Sequence, residues 1–295
     1  MHHMEIRPEC HGCLERLIAL TVELATPDPA LQRRAAEQAR DILARELGLA
    51  GAIPALIASR FHLAIQDITR NPDPFAPRKA AETAFLARMY RRVAPRYGRD
   101  LDSLLRLAAA GNAVDFFRAE GEVTRELLSR VEFGVSRLPQ FRRLLQESHG
   151  QILYLADNAG EQFFDLPLVA ELRRRGRRVV YVVKSGPIQN DLTREDLQRS
   201  GLARTLEPVA DTGARTVGLD LERASPGFRA RFNRARLVLA KGMGHFETMS
   251  HLGDPRIFFL LQAKCSAVAR ALDVPQGTFV FAQAGIPLDI PLENG

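Results

Sequence analysis

The sequence predicts an α/β protein: a helical N-terminal part, then a doubly wound α/β part built on a buried parallel sheet. Three observations predict it. Before residue 149 the apolar residues recur with a helical period and no strand is evident. After Gly150, apolar runs of about five residues alternate with helical segments, the pattern of strands covered on both faces. Three of these runs end in a short, polar, glycine-bearing segment, where ligands sit in open parallel sheets. At about 150 residues per domain, the 295 residues divide into a helical domain, 1–148, and an α/β domain, 149–295.

The elements follow in order. Cys13 to Leu24 carries Leu14, Leu17, Ile18 and Val22 on one helical face. Leu31 to Leu47 follows Pro27 and Pro29. Ile53 to Ile65 has Pro54 in its first turn, where the missing N–H is tolerated. Asn71-Pro72-Asp73-Pro74 is a break. Ala76 to Arg92, Leu101 to Ala110, Val114 to Ala119 and Glu122 to Glu147 are the remaining helices of the first half.

In the second half Ile152 to Ala156 is a strand and Glu161 to Arg175 a helix closed by Gly176. Val179 to Val183 is a strand and Arg194 to Ser200 a helix. A strand is expected around Thr205 to Val209, then a helix near Gly227 to Arg234. Leu237 to Ala240, Ile257 to Leu261 and Thr278 to Phe281 complete the strands.

Composition narrows the function. A hydrophobic fraction of 46% and a charged fraction of 26% are those of a globular chain. No run approaches 18 apolar residues, so no membrane partner is expected. The net charge of +6 suits anionic ligands and is too small to argue for nucleic acid. Only four of the 41 basic residues are lysines (Lys79, Lys184, Lys241 and Lys264), which singles each of them out. Three cysteines and no visible export signal point to a reducing, cytoplasmic setting.

The segments after the apolar runs carry the chemistry. They are Asp157-Asn158-Ala159-Gly160-Glu161, Lys184 through Asn190-Asp191, and Lys241-Gly242-Met243-Gly244-His245-Phe246-Glu247. Asp157, Asn158 and Asp191 are oxygen donors suited to Mg²⁺ or Mn²⁺, with waters and substrate completing the shell. Lys241 and nearby backbone N–H groups can balance phosphate charge. Asp157-Asn158 also suits an ordinary helix N-cap, and Lys241-Gly242 an ordinary turn. His245 suits either an acid/base or a plain loop histidine.

Cys10-His11-Gly12-Cys13 is half a zinc site at most, which Cys265 joins only through the fold. The arginine run from Arg173 to Arg178 reads as a solvated helix end. P-loop, dinucleotide-binding and nucleophile-elbow motifs are absent from the sequence.

These motifs resemble those of the damage-control phosphatase family, long catalogued as domain of unknown function eighty-nine. The resemblance rests on Cys10-x-x-Cys13, Ala110-Gly111-Asn112-Ala113-Val114-Asp115-Phe116, Asp157 to Glu161 with Phe164-Asp165, Lys184 through Asp191, Lys241 to Gly244 with Phe246-Glu247, and Lys264-Cys265 with Ala269. The cysteine pair looks like the mainly prokaryotic branch. The resemblance implies a Rossmann-like α/β/α core under a helical domain. It implies hydrolysis of small phosphate monoesters, such as sugar phosphates or phosphopantetheine compounds, with one divalent metal ion: Mn²⁺, Co²⁺, Ni²⁺ or Mg²⁺.

By the same resemblance the metal falls on Asp157, Asn158 and Asp191, and the phosphate-contacting lysine is Lys241. Asn112 and Asp115 join the substrate side, with Gly242, His245 and Glu247. Glu161 or Glu247 is then expected to position the water or a group behind the metal ligands. His245 stands where this branch is expected to carry asparagine. The expected partner is a small phosphorylated metabolite, and the oligomeric state stays open. The competing readings are a metal-dependent binding protein without turnover and an S-adenosylmethionine-dependent carboxyl methyltransferase, against which the lack of a glycine-rich loop after the first strand counts.

Overall fold

Successive side chains of a strand face opposite ways, so a strand buried on both sides feeds two separate cores. The computed structural model describes Met4 and residues 6–113, 120–147 and 150–286. Three helices come first, α1 (Pro8–Ala25), α2 (Pro29–Leu47) and α3 (Pro54–Thr69). Each begins on a proline, and Asp28 caps α2 by accepting from the N–H of Ala30 and Leu31. Their apolar faces form a small core of their own, with Leu14, Ile18, Leu43, Phe61 and Ile65 buried in it.

Helices α4 (Ala76–Val93), α5 (Leu101–Gly111) and α6 (Glu120–Leu128) follow, then strand β1 (Phe133–Ser136) and α7 (Leu138–Glu147). The wound part runs β2 (Gln151–Leu155), α8 (Gln162–Arg174), β3 (Arg178–Val183), α9 (Arg194–Arg199), α10 (Ala203–Leu206), β4 (Val209–Asp211) and α11 (Pro226–Arg234). It closes with β5 (Leu237–Lys241), α12 (Gly242–Met249), β6 (Ile257–Gln262), α13 (Ser266–Ala271) and β7 (Phe279–Gln283).

The seven strands lie in the order β1-β7-β6-β5-β2-β3-β4. Neighbours are parallel except β6 and β7, which are antiparallel. Ile152, Tyr154, Tyr181, Leu239 and Phe258 face a core shared with α4, α5 and α8. Leu153, Leu155, Val182, Val238 and Phe259 face the opposite core, shared with α11, α12 and α13. Among the described residues no helix is long and apolar enough to cross a membrane.

Three local readings are corrected. Glu122 to Glu147 is not one helix: it holds α6, β1 and α7. A strand therefore precedes residue 150, and its four residues at the sheet edge are too short and too exposed to show a strand pattern. The strand expected around Thr205 to Val209 starts only at Val209, because Ala203–Leu206 is a helical turn. Val114 to Ala119, expected as a helix, lies outside the described residues.

The strand order explains where a ligand belongs. From β2 the chain adds β3 and β4 on one side, then returns to place β5 on the other. The crevice between β2 and β5 is the switch point, where open α/β sheets bind ligands at the carboxyl ends of their strands. The segments after β2, β3 and β5 therefore meet.

Candidate active site at the sheet switch point

Two loops are stitched together first. Ala159 N donates to Asn190 O at 2.8 Å, and Leu192 N donates to Asp157 O at 2.8 Å. Asn158 and Asp191 pair across this short antiparallel bridge. The loop after β2 and the loop after β3 thus hold Asp157, Asn158 and Asp191 side by side, as the sequence predicts.

A second layer of bonds orients the carboxylates. The Nδ2 atoms of Asn112 and Asn158 both donate to Asp157 Oδ2, at 2.9 Å each. The same two atoms donate to Glu161 Oε1, at 2.9 and 2.8 Å. Asn112 sits just past the end of α5, and its Oδ1 accepts from Gln262 N at 3.2 Å, which fixes that helix end to β6. Lys241, the last residue of β5, donates to Glu161 Oε2 at 2.8 Å and to Asp165 Oδ1 at 2.7 Å. Tyr154 and Tyr181 each donate a hydroxyl to Asp165, both at 2.7 Å.

Gly242 makes room for Asp157. It has φ +80°, and a Cβ there would lie 1.9 Å from Asp157 Oδ2. Only glycine meets both demands, the left-handed backbone and the close approach. The start of α12 therefore lies directly against the carboxylate.

Burial sets the electrostatics. Burial, then the charges of Glu161 and Asp191, pushes the Asp157 carboxyl well above its usual range. Burial pushes Asp191 up to about 6 against the pull of Lys184. Burial acts to raise Glu161 too, but the Lys241 ammonium outweighs it and holds the carboxyl low. Asp165 is raised, burial outweighing the same ammonium.

The Lys184 ammonium lies 3.4 Å from Asp191 Oδ2, an ion-pair separation. That oxygen is nevertheless buried with no hydrogen-bond partner. Lys184 also donates to Gly218 O and approaches His245 Nε2 at 3.3 Å.

These atoms open onto a cleft of about 940 Å³, a size suited to small-molecule ligands. Asp157, Asn158, Asp191 and Lys264 line it. So do Cys10 and Cys13 from α1, Cys265 at the start of α13, and Glu247. Glu247 accepts from Ala55 N at 3.0 Å, and burial raises its carboxyl to about 7.

Among the described residues no three His, Cys, Asp or Glu side chains gather closely enough to hold a metal by themselves. A hard cation here would therefore need an amide with the acids. Asp157 and Asp191 would supply carboxylates, and Asn158 would offer Oδ1, since its Nδ2 serves Asp157 and Glu161. The buried Asp191 Oδ2, which accepts no hydrogen bond, is the observation that fits such a group.

The expected site residues fall into three sets. Asp157, Asn158, Glu161, Asp191, Asn112, Lys241 and Gly242 come together. His245 does not join the cleft wall: it is buried, its Nδ1 donates to Lys241 O at 2.7 Å and its Nε2 faces the Lys184 ammonium. Burial and the Lys184 charge keep its ring neutral. Asp115 lies outside the described residues. Lys241 is also placed behind the cleft, fully buried between Glu161 and Asp165, so the lysine on the cleft wall is Lys264.

Sequence reasoning did not single out Asp165, Tyr154 or Tyr181 as parts of the site. Their signal was weak but present: Asp165 lies one helical turn after Glu161, and the tyrosines are the polar-tipped members of two apolar strands.

Fold and site together define an α/β protein with an acid–amide cluster at its sheet switch point. The model of the damage-control phosphatase ARMT1-like domain matches residues 6–280, and the chain belongs to that family. A damage-control phosphatase of Pyrococcus horikoshii, PH1575, is 37% identical over 284 residues, covering 94% of this chain and 97% of that protein. A damage-control phosphatase of Archaeoglobus fulgidus is 30% identical, covering 94% of this chain and 98% of the relative. The crystal structure of a DUF89 family protein, PH1575 of P. horikoshii, matches with a TM-score of 0.85 at 36% identity, over 95% of this chain and 99% of that one. Membership supports a phosphatase function.

Proposed function

We propose that this protein is a divalent-metal-dependent phosphatase acting on small phosphate monoesters, such as sugar phosphates or damaged phosphometabolites. The observation that carries this reading is the set Asp157, Asn158 and Asp191, with a buried carboxylate oxygen that no hydrogen bond satisfies, on the wall of a ligand-sized cleft. Asp157, Asn158 and Asp191 would hold Mn²⁺, Co²⁺, Ni²⁺ or Mg²⁺. When bound, such an ion polarises the phosphoryl group and lowers the pKa of a water.

The chain's own residues do the rest. Lys264 offers positive charge to the phosphate from the cleft wall. The start of α12, against Asp157, presents backbone N–H groups and a favourable helix end to an anion. Asn112 and Asn158 hold Asp157 and Glu161 in one fixed geometry, so no reorganisation is needed as charge develops. Glu161 sits behind the ligand set, where it orients Asn158.

Phosphate release by metal-stripped protein tests the reading. A panel of sugar phosphates and phosphopantetheine is offered, with each metal added back singly. Release is expected to depend on metal and to fall to the metal-free level in Asp191→Ala. Metal binding by calorimetry with no release from any ester would favour a binding protein instead.

A further inference from the structure

Behind the ligand set a single chain of hydrogen bonds runs through the protein. Tyr154 and Tyr181 hold Asp165, Asp165 and Glu161 share Lys241, and Glu161 holds the two amides that hold Asp157. Lys241, Asp165 and Glu161 are at most 1% exposed, so water does not screen their charges. Burying so many ionic groups is costly, and apolar side chains of similar volume often give a more stable protein. The arrangement therefore calls for a role beyond packing.

Charge supplies one. Among the buried side chains of this pocket, Asp157, Glu161, Asp165 and Asp191 bring four formal negative charges and Lys184 and Lys241 two positive ones, while Lys264 stands partly exposed on the cleft wall. The remainder is −2, the complement of one divalent cation. Asp165 touches neither the cleft nor any ligand residue, yet without it the remainder falls to −1.

We propose that Asp165 is a positioning residue: through Lys241 it fixes the orientation of Glu161 and sets the net charge of the Asp157–Asn158–Asp191 site to match a dication. This rests on the reading of that site given above. The two tyrosine hydroxyls keep the Asp165 carboxylate aimed at Lys241. Lys241 is then a fixed counter-ion rather than a phosphate ligand, which is why a lysine stands at the end of β5 with no path to the cleft.

Calorimetric titration with Mn²⁺ tests this directly, on the full chain with folding checked by circular dichroism. Asp165→Asn is expected to weaken Mn²⁺ binding about 10- to 100-fold, the range for groups that support metal ligands from behind. Adding Lys241→Met to Asp165→Asn restores the −2 remainder, and affinity is expected to recover toward the wild-type value. A purely structural role predicts the opposite, a double variant worse than either single one. Tyr181→Phe keeps ring and charge and is expected to weaken Mn²⁺ binding by a smaller factor, which serves if Asp165→Asn does not fold. Wild-type affinity in both Asp165→Asn and Tyr181→Phe would overturn the positioning role alone. No Mn²⁺ binding by the wild-type protein would overturn the metal reading, and this inference with it.

Discussion

Lys79 and Lys241 place the same chemistry in two regions of the molecule. Lys79 Nζ lies 2.6 Å from Asp73 and 3.0 Å from Asp196, and Lys241 Nζ lies 2.8 Å from Glu161 and 2.7 Å from Asp165. Both ammoniums are buried. What separates them is where the carboxylates lead. Asp196 Oδ2 also accepts from the N–H and hydroxyl of Thr193, so it closes the start of α9 and fastens α4 to it. Glu161 leads instead to two amides and through them to Asp157. A buried ion pair is thus no sign of function by itself. The partners of its carboxylates distinguish a fastener from a part of a site.

Lys79→Met breaks this comparison most strongly. It leaves Asp196 buried and Asp73 half-buried without their cation, and a loss of about 3–5 kcal/mol is expected in urea unfolding. Mn²⁺ affinity of the folded fraction should change far less than it does in Asp165→Asn. A comparable change in both would dissolve the distinction between the two regions.

Two glycines sharpen it at smaller cost. Gly242 and Gly176 have nearly the same φ, +80° and +75°. A Cβ at Gly176 meets nothing within 4 Å, so Gly176→Ala pays backbone strain alone, about 1 kcal/mol. Gly242→Ala adds a clash with Asp157, an extra cost of about 1–3 kcal/mol, and should also abolish Mn²⁺ binding. Thermal unfolding and calorimetry on the two variants separate strain from site.

The smallest effect comes from a buried group with no ion partner. His62, between the rings of Phe61 and Phe75, has its pKa lowered to about 3 by burial. Its folded pKa is below its unfolded value of about 6.5, so the unfolded chain takes up the proton first. The contribution is complete above pH 6.5 and declines as pH falls from there toward 3. The slope approaches a limit of about 1.4 kcal/mol per pH unit. Urea midpoints at pH 7.5 and 5.5 should show it, and His62→Leu should flatten it.

Much of the site was legible because strands buried on both faces announce themselves as apolar runs. Whatever follows them in the sequence lies at the sheet edge, so Asp157, Asn158, Asp191 and Gly242 could be named. Asn112 was not readable that way: its place depends on how α5 packs, and only the family resemblance pointed to it. Asp165 entered only through the family motif, without a role, and Tyr154 and Tyr181 only as members of apolar runs. Their roles arise from one another across the sheet, and the local sequence marks them only faintly. Strand β1 was missed for a related reason, since an edge strand of four residues has no buried period to display. The scarcity of lysine proved the better guide. Three of the four are buried in carboxylate clusters, and the fourth lines the cleft.

That last fact has a use at the bench. Amine-reactive acylating reagents normally decorate a protein surface at random, because lysine side chains usually crowd it. Here Lys79, Lys184 and Lys241 are no more than 2% exposed, and the surface charge is carried by arginine, which such reagents leave alone. Lys264 is the lysine side chain such a reagent can reach, and it stands on the wall of the cleft. A fluorophore or crosslinker of the most indiscriminate kind thus becomes a reporter addressed to the ligand pocket.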